Sequence, residues 1–210
     1  MNVLIFGATG GIGRWAVKHA QRHRHNVTAY VRNASKMPGC DDVAVIEGGI
    51  SDRAKVKCAL KGQDAVIWCV GIPMKRKLSS HDSLEGHKVL LEAMRETGIT
   101  RLVDWGTPSI RFAEDKKSFI TVVPDVLAGI ALTDAKKEMV AIGDLLEKSD
   151  LDWTMVRFMA PKDTPSMGNA KVGFGDTKMN FAISREDIAA FMVDQIEDRS
   201  YIRSMPIIGS

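Results

Sequence analysis

Tyrosine is scarce in this chain: its 210 residues include only Tyr30 and Tyr201. Four positions beyond them stand Ala34 and Met205, so neither phenol has the lysine that would lower its pKa and make it a proton donor. Cysteine is almost as sparse. Cys40, Cys58 and Cys69 are an odd number with no Cys-x-x-Cys pair, which excludes a disulfide framework or zinc knuckle and predicts a reducing, cytoplasmic setting. An excess of one charge is missing too: 29 Lys and Arg face 26 Asp and Glu, a net charge of +3. That is far below the basic surplus of a nucleic-acid binder. No apolar run approaches the ~18 residues of a membrane span. Neither nucleic acid nor membrane is therefore an expected partner. With 45% apolar and 26% charged positions, the composition predicts one globular domain with a real core, not a disordered or fibrous chain.

What is present begins at once. Val3-Leu4-Ile5-Phe6 is the continuous apolar run of a strand buried on both faces, and with a strand this early no signal or transit peptide is expected. Gly7-Ala8-Thr9-Gly10-Gly11-Ile12-Gly13 follows, then a helical pattern placing Ile12, Ala16, His19, Ala20 and His23 on one face. In such a loop Gly7 permits the tight turn, Gly10 leaves the backbone open to a pyrophosphate, and Gly13 lets helix and strand pack closely. The helix N-terminus then faces the phosphates. A glycine triplet alone is weak; between a strand and a helix it predicts a dinucleotide site. The second strand, Val27–Val31, ends at Arg32, where NAD enzymes usually carry an acid for the ribose hydroxyls. Residues 30–34 hold no carboxylate, and Arg32 with Lys36 one turn on suits a 2′-phosphate, so the expected cofactor is NADP over NAD.

Strand and helix patterns then alternate. Strands are predicted at 43–46, 65–70, 102–105 and 153–158, and helices at about 51–60, 80–97 and 134–148. Ser184-Arg185-Glu186-Asp187 is a capping box opening a last helix, and residues 203–208, containing Pro206, suit an edge strand. Residues 106–132 carry no firm assignment. This order predicts an α/β fold: a single Rossmann-type, doubly wound parallel sheet with helices on both faces and a ligand across the strand carboxyl ends.

Gly7-Ala8-Thr9-Gly10-x-x-Gly13, Arg32 after strand two, Gln63-Asp64-Ala65-Val66-Ile67, Ser149-Asp150-Leu151-Asp152-Trp153-Thr154 and Ile183-Ser184-Arg185-Glu186-Asp187-Ile188-Ala189 together resemble the atypical short-chain dehydrogenase/reductases. Within them the chain is most similar to the NAD(P)H-binding, NmrA-like proteins of the biliverdin reductase B (flavin reductase) type. The resemblance implies NADPH binding and reduction of flavins or other flat conjugated acceptors. It implies that Gly7, Thr9, Gly10, Gly11 and Ile12 hold the pyrophosphate, Arg32 the 2′-phosphate, and Ile50 the adenine; Gly13 and Lys36 join that cofactor site from the reading of the loop and of strand two above. Gly71 and Ile72 would lie along the ribose, and Trp105, Gly106 and Thr107 would approach the nicotinamide, backed by Phe158 and Met159. Two positions depart from the pattern: Gly49 replaces an acid after strand three, and Arg157-Phe158 replaces Arg-Pro after strand six.

Counted back from Ser149, the Tyr-x-x-x-Lys positions of ketone-reducing relatives fall on Ala135 and Met139. Carbonyl reduction develops an alkoxide that needs a positioned acid, whereas a flavin ring spreads the arriving charge and water can protonate it. The expected function is therefore an NADPH-dependent reductase passing hydride to a flavin, quinone or tetrapyrrole-like acceptor, with the Thr107 hydroxyl as the candidate catalytic group. A strand-end hydroxyl bonded to backbone is the plain alternative for Thr107. Asp104 would need a partner if buried, His81 and His87 read as solvated or capping, and Lys75-Arg76-Lys77 as a solvated run beside the cleft. Phe158, Met159, Met167, Phe174, Met179 and Phe181, in a segment broken by Gly168, Gly173 and Gly175, read as a substrate-side flap over 159–182. A non-catalytic NADP(H)-sensing module and an epimerase- or dehydratase-like enzyme are the competing functions. No metal site is expected, and the expected assembly is a monomer or weak homodimer.

Overall fold

The first strand shows why the chain folds in layers. In the computed structural model, which describes residues 1–37, 42–168 and 170–210 (side chains at 120, 124, 125, 128 and 130 excepted), β1 (Asn2–Phe6) buries Val3, Leu4, Ile5 and Phe6 completely. Alternate residues point to opposite faces. Leu4 and Phe6 pack with the apolar sides of α2 (Arg53–Leu60), α3 (Asp82–Thr97) and α5 (Thr133–Glu147). Val3 and Ile5 pack with α1 (Gly13–Arg22) and α6 (Arg185–Asp194). Each such side chain contributes roughly 1.5–3 kcal/mol when buried, so a strand this apolar is stable only at the centre of a covered sheet.

It is central. β1 pairs in parallel with β2 (Asn26–Val31) on one side and β4 (Ala65–Trp68) on the other. The sheet continues through β3 (Val43–Glu47) beyond β2, and through β5 (Arg101–Gly106) and β6 (Asp152–Arg157) beyond β4. β7 (Pro161–Lys162) and β9 (Ile183–Ser184) form a separate two-stranded ribbon; β8 (Lys171–Gly173) and β10 (Ile207–Gly209) complete the main sheet, whose order is β3-β2-β1-β4-β5-β6-β10-β8. The chain reverses direction across the sheet between β1 and β4, and at such a switch point the strand ends leave a crevice. The doubly wound α/β fold expected from the sequence is the observed one.

Several details differ from expectation. β10 is not at the edge: it runs parallel to β6 and antiparallel to β8, which is the edge strand, and Pro206 precedes it. The proline still contributes, its carbonyl accepting the Arg157 amide at 2.8 Å. His23 lies past the end of α1 and is exposed, and Val17 takes the inner-face place given to it. Within 106–132 a helix, α4 (Phe119–Ala131), packs on α5 while Phe119, Val122, Val126 and Leu127 remain largely exposed. Its apolar residues have no polar face to contrast with, which hid it from periodicity. Cys40 lies outside the described residues.

Candidate cofactor and acceptor site

The glycine loop is shaped by contacts as much as by freedom. Gly7 turns with φ +73°, and a Cβ there would stand 2.7 Å from the Cys69 carbonyl carbon on the neighbouring chain segment. A Cβ on Gly13 would collide with the Gly7 carbonyl. The Gly10 amide closes the turn by donating to the Gly7 oxygen at 2.9 Å. Among the described residues, the amides of Gly11 and Ile12 meet no acceptor, and the first turn of α1 holds no acidic residue. Open N–H groups at the positive end of a helix dipole fit an anionic diphosphate. Thr9 is exposed beside them.

Arg32 and Lys36 are exposed on the loop after β2, which is steadied by Asn33 capping a short 3-10 turn, Ala34–Lys36. One feature escaped sequence reasoning here. A carboxylate does reach this loop, but from β3: Glu47 Oε2 accepts the Ala34 amide at 2.8 Å. Tyr30 is buried and donates its hydroxyl to the Gly49 carbonyl at 2.9 Å, so it anchors the next loop. Burial, with Asp52 nearby, pushes that phenol up to about 12. Ile50 packs near Gly86 and Trp68, and the Ile72 side chain is buried in the core below α3 and α5. Gly71 is exposed at the crevice.

Beyond the loop opens a cavity of about 500 Å³. Gly10, Gly11 and Ile12 form one end, and Trp105, Phe158 and Met159 a wall at the ends of β5 and β6. Trp105 stacks on Phe158 with ring centres 5.8 Å apart, and its indole N–H donates to the Val70 carbonyl at 2.9 Å. Ala135 and Met139 of α5 also line it, so the expected tyrosine and lysine positions present a methyl and a thioether to the cavity. Neither Tyr30 nor Tyr201 lines it; Tyr201 packs against Phe174 and Phe191. Among the described residues, polar side chains in the lining are few: Thr107, Ser109, Lys136 and Arg185, with the Cys69 thiol. Burial, then Asp104, raises that thiol to about 12. Thr107 Oγ1 lies 2.6 Å from Ser109 Oγ and donates to the Met139 sulfur at 3.2 Å, side-chain partners instead of the backbone contact of the plain alternative.

The sequence reading missed much of the outer wall. Met74, Leu127, Ala131 and Leu132 supply it, from the loop after β4 and from α4 and its exit. Of the Met and aromatic residues after β6, Phe158 and Met159 line the cavity. Phe174 instead packs on Phe112, and Phe181 on Phe119.

Two buried polar pairs support this end of the sheet. Asp104 is fully buried and His87 nearly so; His87 Nε2 lies 2.9 Å from Asp104 Oδ2, and Nδ1 lies 2.6 Å from the Ser83 carbonyl. Nδ1 must donate to that carbonyl, so a proton also sits between Nε2 and the carboxyl group. This corrects the solvated or capping role expected of His87. Its place on the Leu90–Met94 side of α3 was the signal. Half-exposed His81 does precede the helix, without a side-chain capping bond. Arg157, buried to 0% in β6, donates to the Met205 and Ile110 carbonyls at 2.7 Å each and to both Asp115 oxygens at 2.5 and 2.8 Å. Lys75, Arg76 and Lys77 are exposed, as expected.

The sequence profile of a family described as NAD(P)H-binding matches residues 7–199, from the first glycine of the loop to beyond α6. The chain belongs to the NAD(P)H-binding family. That membership bears out the resemblance to the atypical short-chain dehydrogenase/reductases. A relative in this similarity range is the uncharacterised protein YwnB of Bacillus subtilis, 27% identical over 94% of this chain and 92% of its own. Among solved structures, a short-chain dehydrogenase/reductase from Veillonella parvula in complex with NADP superposes with a TM-score of 0.79 at 16% identity, covering 100% of this chain and 94% of that one. ChuY, an anaerobilin reductase from Escherichia coli O157:H7, does so with a TM-score of 0.76 at 19% identity, covering 100% and 97%. At those identities the two structures share the fold. Among the described residues, no helix is long and apolar enough to cross a membrane, and no three His, Cys, Asp or Glu side chains gather as a metal site.

Proposed function

We propose that this protein is an NADPH-dependent reductase of flat, conjugated acceptors: a flavin, a quinone or a tetrapyrrole. The observation that carries this reading is the cavity itself, which runs from the open Gly11 and Ile12 amides to the Trp105–Phe158 stack and is walled mainly by apolar side chains. The nicotinamide, when bound, supplies the hydride. The glycine loop binds the diphosphate, Arg32 and Lys36 receive the 2′-phosphate, Ile50 flanks the adenine and Gly71 lies along the ribose, while Ile72, its side chain buried in the core, is left out of the site. Trp105, Gly106, Phe158 and Met159 orient the nicotinamide ring, and Thr107 steers the acceptor by hydrogen bonding. Segment 159–182 covers the acceptor, and its ends are joined where β7 pairs with β9. A site with no tyrosine on its wall works by orienting two rings and excluding water from between them, which suits acceptors whose own conjugation takes up charge. The NADP bound in the Veillonella structure and the anaerobilin reduction named for ChuY support the same reading by analogy of fold.

The test is direct. Purified protein mixed with NADPH and, in turn, FMN, FAD, a soluble quinone and a linear tetrapyrrole should consume NADPH with at least one of them. Consumption no faster than without protein for all four would sink the reading and favour a cofactor-sensing role.

A further inference from the structure

Arg185 opens α6, and its side chain lies across the glycine loop. A Cβ on Gly11 would come within 2.8 Å of the Arg185 Cδ and 2.9 Å of its Nε, so the arginine stem fills the space a side chain at 11 would need. The head group is held from the far side: Arg185 Nη1 is 2.7 Å from Asp163 Oδ2, and Asp163 Oδ1 is 3.3 Å from Arg14 Nη2 on the first turn of α1. Asp163 follows β7 and Arg185 follows β9, so the pairing of those two strands brings the acid and the base together. Arg185 also lines the cavity beside Gly10, Gly11 and Ile12.

From this geometry we propose that Arg185 is a ligand of the cofactor diphosphate, with Asp163 and Arg14 as its positioning pair. The proposal rests on the dinucleotide reading of the loop. A purely structural ion pair has no need to sit on the cavity wall, beside the open amides of Gly11 and Ile12. Asp163 is 66% exposed and Arg185 27%, and an ion pair that wet contributes little to stability. A guanidinium fork on phosphate oxygens is one of the stronger contacts a side chain makes. Exchange of carboxylate for diphosphate, or sharing of the head group between them, is thus favoured. The Gly11 and Ile12 amides then meet the ligand from one side and Arg185 from the other. Because the diphosphate is common to both dinucleotides, Arg185 serves affinity without distinguishing NADPH from NADH.

Titration of nicotinamide fluorescence tests this without turnover. R185A should raise the Kd of NADPH and of NADH alike, by about tenfold, and flatten the dependence of both on ionic strength; R185K should recover part of the loss. The melting temperature without ligand should hardly move. If R185A does not fold, R185Q, which keeps the stem over Gly11, carries the same expectation. An unchanged Kd for both dinucleotides overturns the proposal and leaves the reductase reading standing, as does a loss confined to NADPH. Wild-type protein that binds neither dinucleotide overturns both.

Discussion

The two ends of the cavity are built on different principles. At the glycine loop, position is set by backbone: Gly7, Gly10 and Gly13 are spaced so that carbonyls and amides approach each other with no side chain between. At the acceptor end, position is set by buried polar side chains: Arg157 ties the 110–115 loop and residue 205 to β6, and the Asp104–His87 pair ties β5 to α3. Backbone shape is common to every ligand with a diphosphate. Side-chain scaffolding can be altered piece by piece.

Breaking the scaffold should give the largest effect. R157M keeps the volume but leaves Asp115 and two carbonyls without their donor, and removal of one member of a buried pair costs about 3–5 kcal/mol. A thermal melt should fall by roughly 6–20 °C. An unchanged melt would mean the acceptor end does not depend on that residue. R32E sharpens the comparison from the other side. It should weaken NADPH by about 30-fold, some 2 kcal/mol, while NADH binding changes little; equal losses for both would remove Arg32 from the 2′-phosphate. The smallest effect concerns the turn at 166–168, held by α6. The Asp187 carboxylate accepts from Ser166 Oγ and from the Met167 and Gly168 amides at 2.5–3.1 Å. Burial alone would raise its pKa, but those hydrogen bonds, with Ser184, outweigh burial and hold it below the usual carboxylate range. A group depressed in this way stabilises the fold above its unfolded pKa of about 4 and loses that contribution as pH falls through the lower folded value. The protection factors of the 167 and 168 amides, which divide out the intrinsic slowing of exchange in acid, should therefore fall below about pH 4, and D187N should show low protection already at neutral pH. Protection that ignores both changes would detach the turn from α6.

The same contrast explains how much could be read from the sequence. The glycine end was legible because strand, turn and helix signals are local: Val3–Phe6, Gly7–Gly13 and the Asp52 and Ser184 caps each declare themselves within a few residues. Arg157, His87 and Arg185 were not legible as site-builders, because what makes each important lies far along the chain. Arg157 meets Asp115, His87 meets Asp104, and Arg185 meets Asp163 and Gly11. Nor could α4 be seen in a stretch whose apolar residues are not confined to one stripe. The lack of a tyrosine at 135 and of a lysine at 139 needs no partner to be read. The methyl of Ala135 and the thioether of Met139 stand on the cavity wall at the two positions it singled out.

The collision that a Cβ on Gly13 would make with the Gly7 carbonyl bears on how such chains diverge. A descendant that lost its cofactor altogether would still need that glycine to fold, since the steric demand comes from its own main chain. Gly11 is under a different demand, set by one removable side chain. In a lineage drifting away from dinucleotide chemistry, position 13 should stay frozen while positions 11 and 185 are released together, and that joint release would be the mark of lost binding.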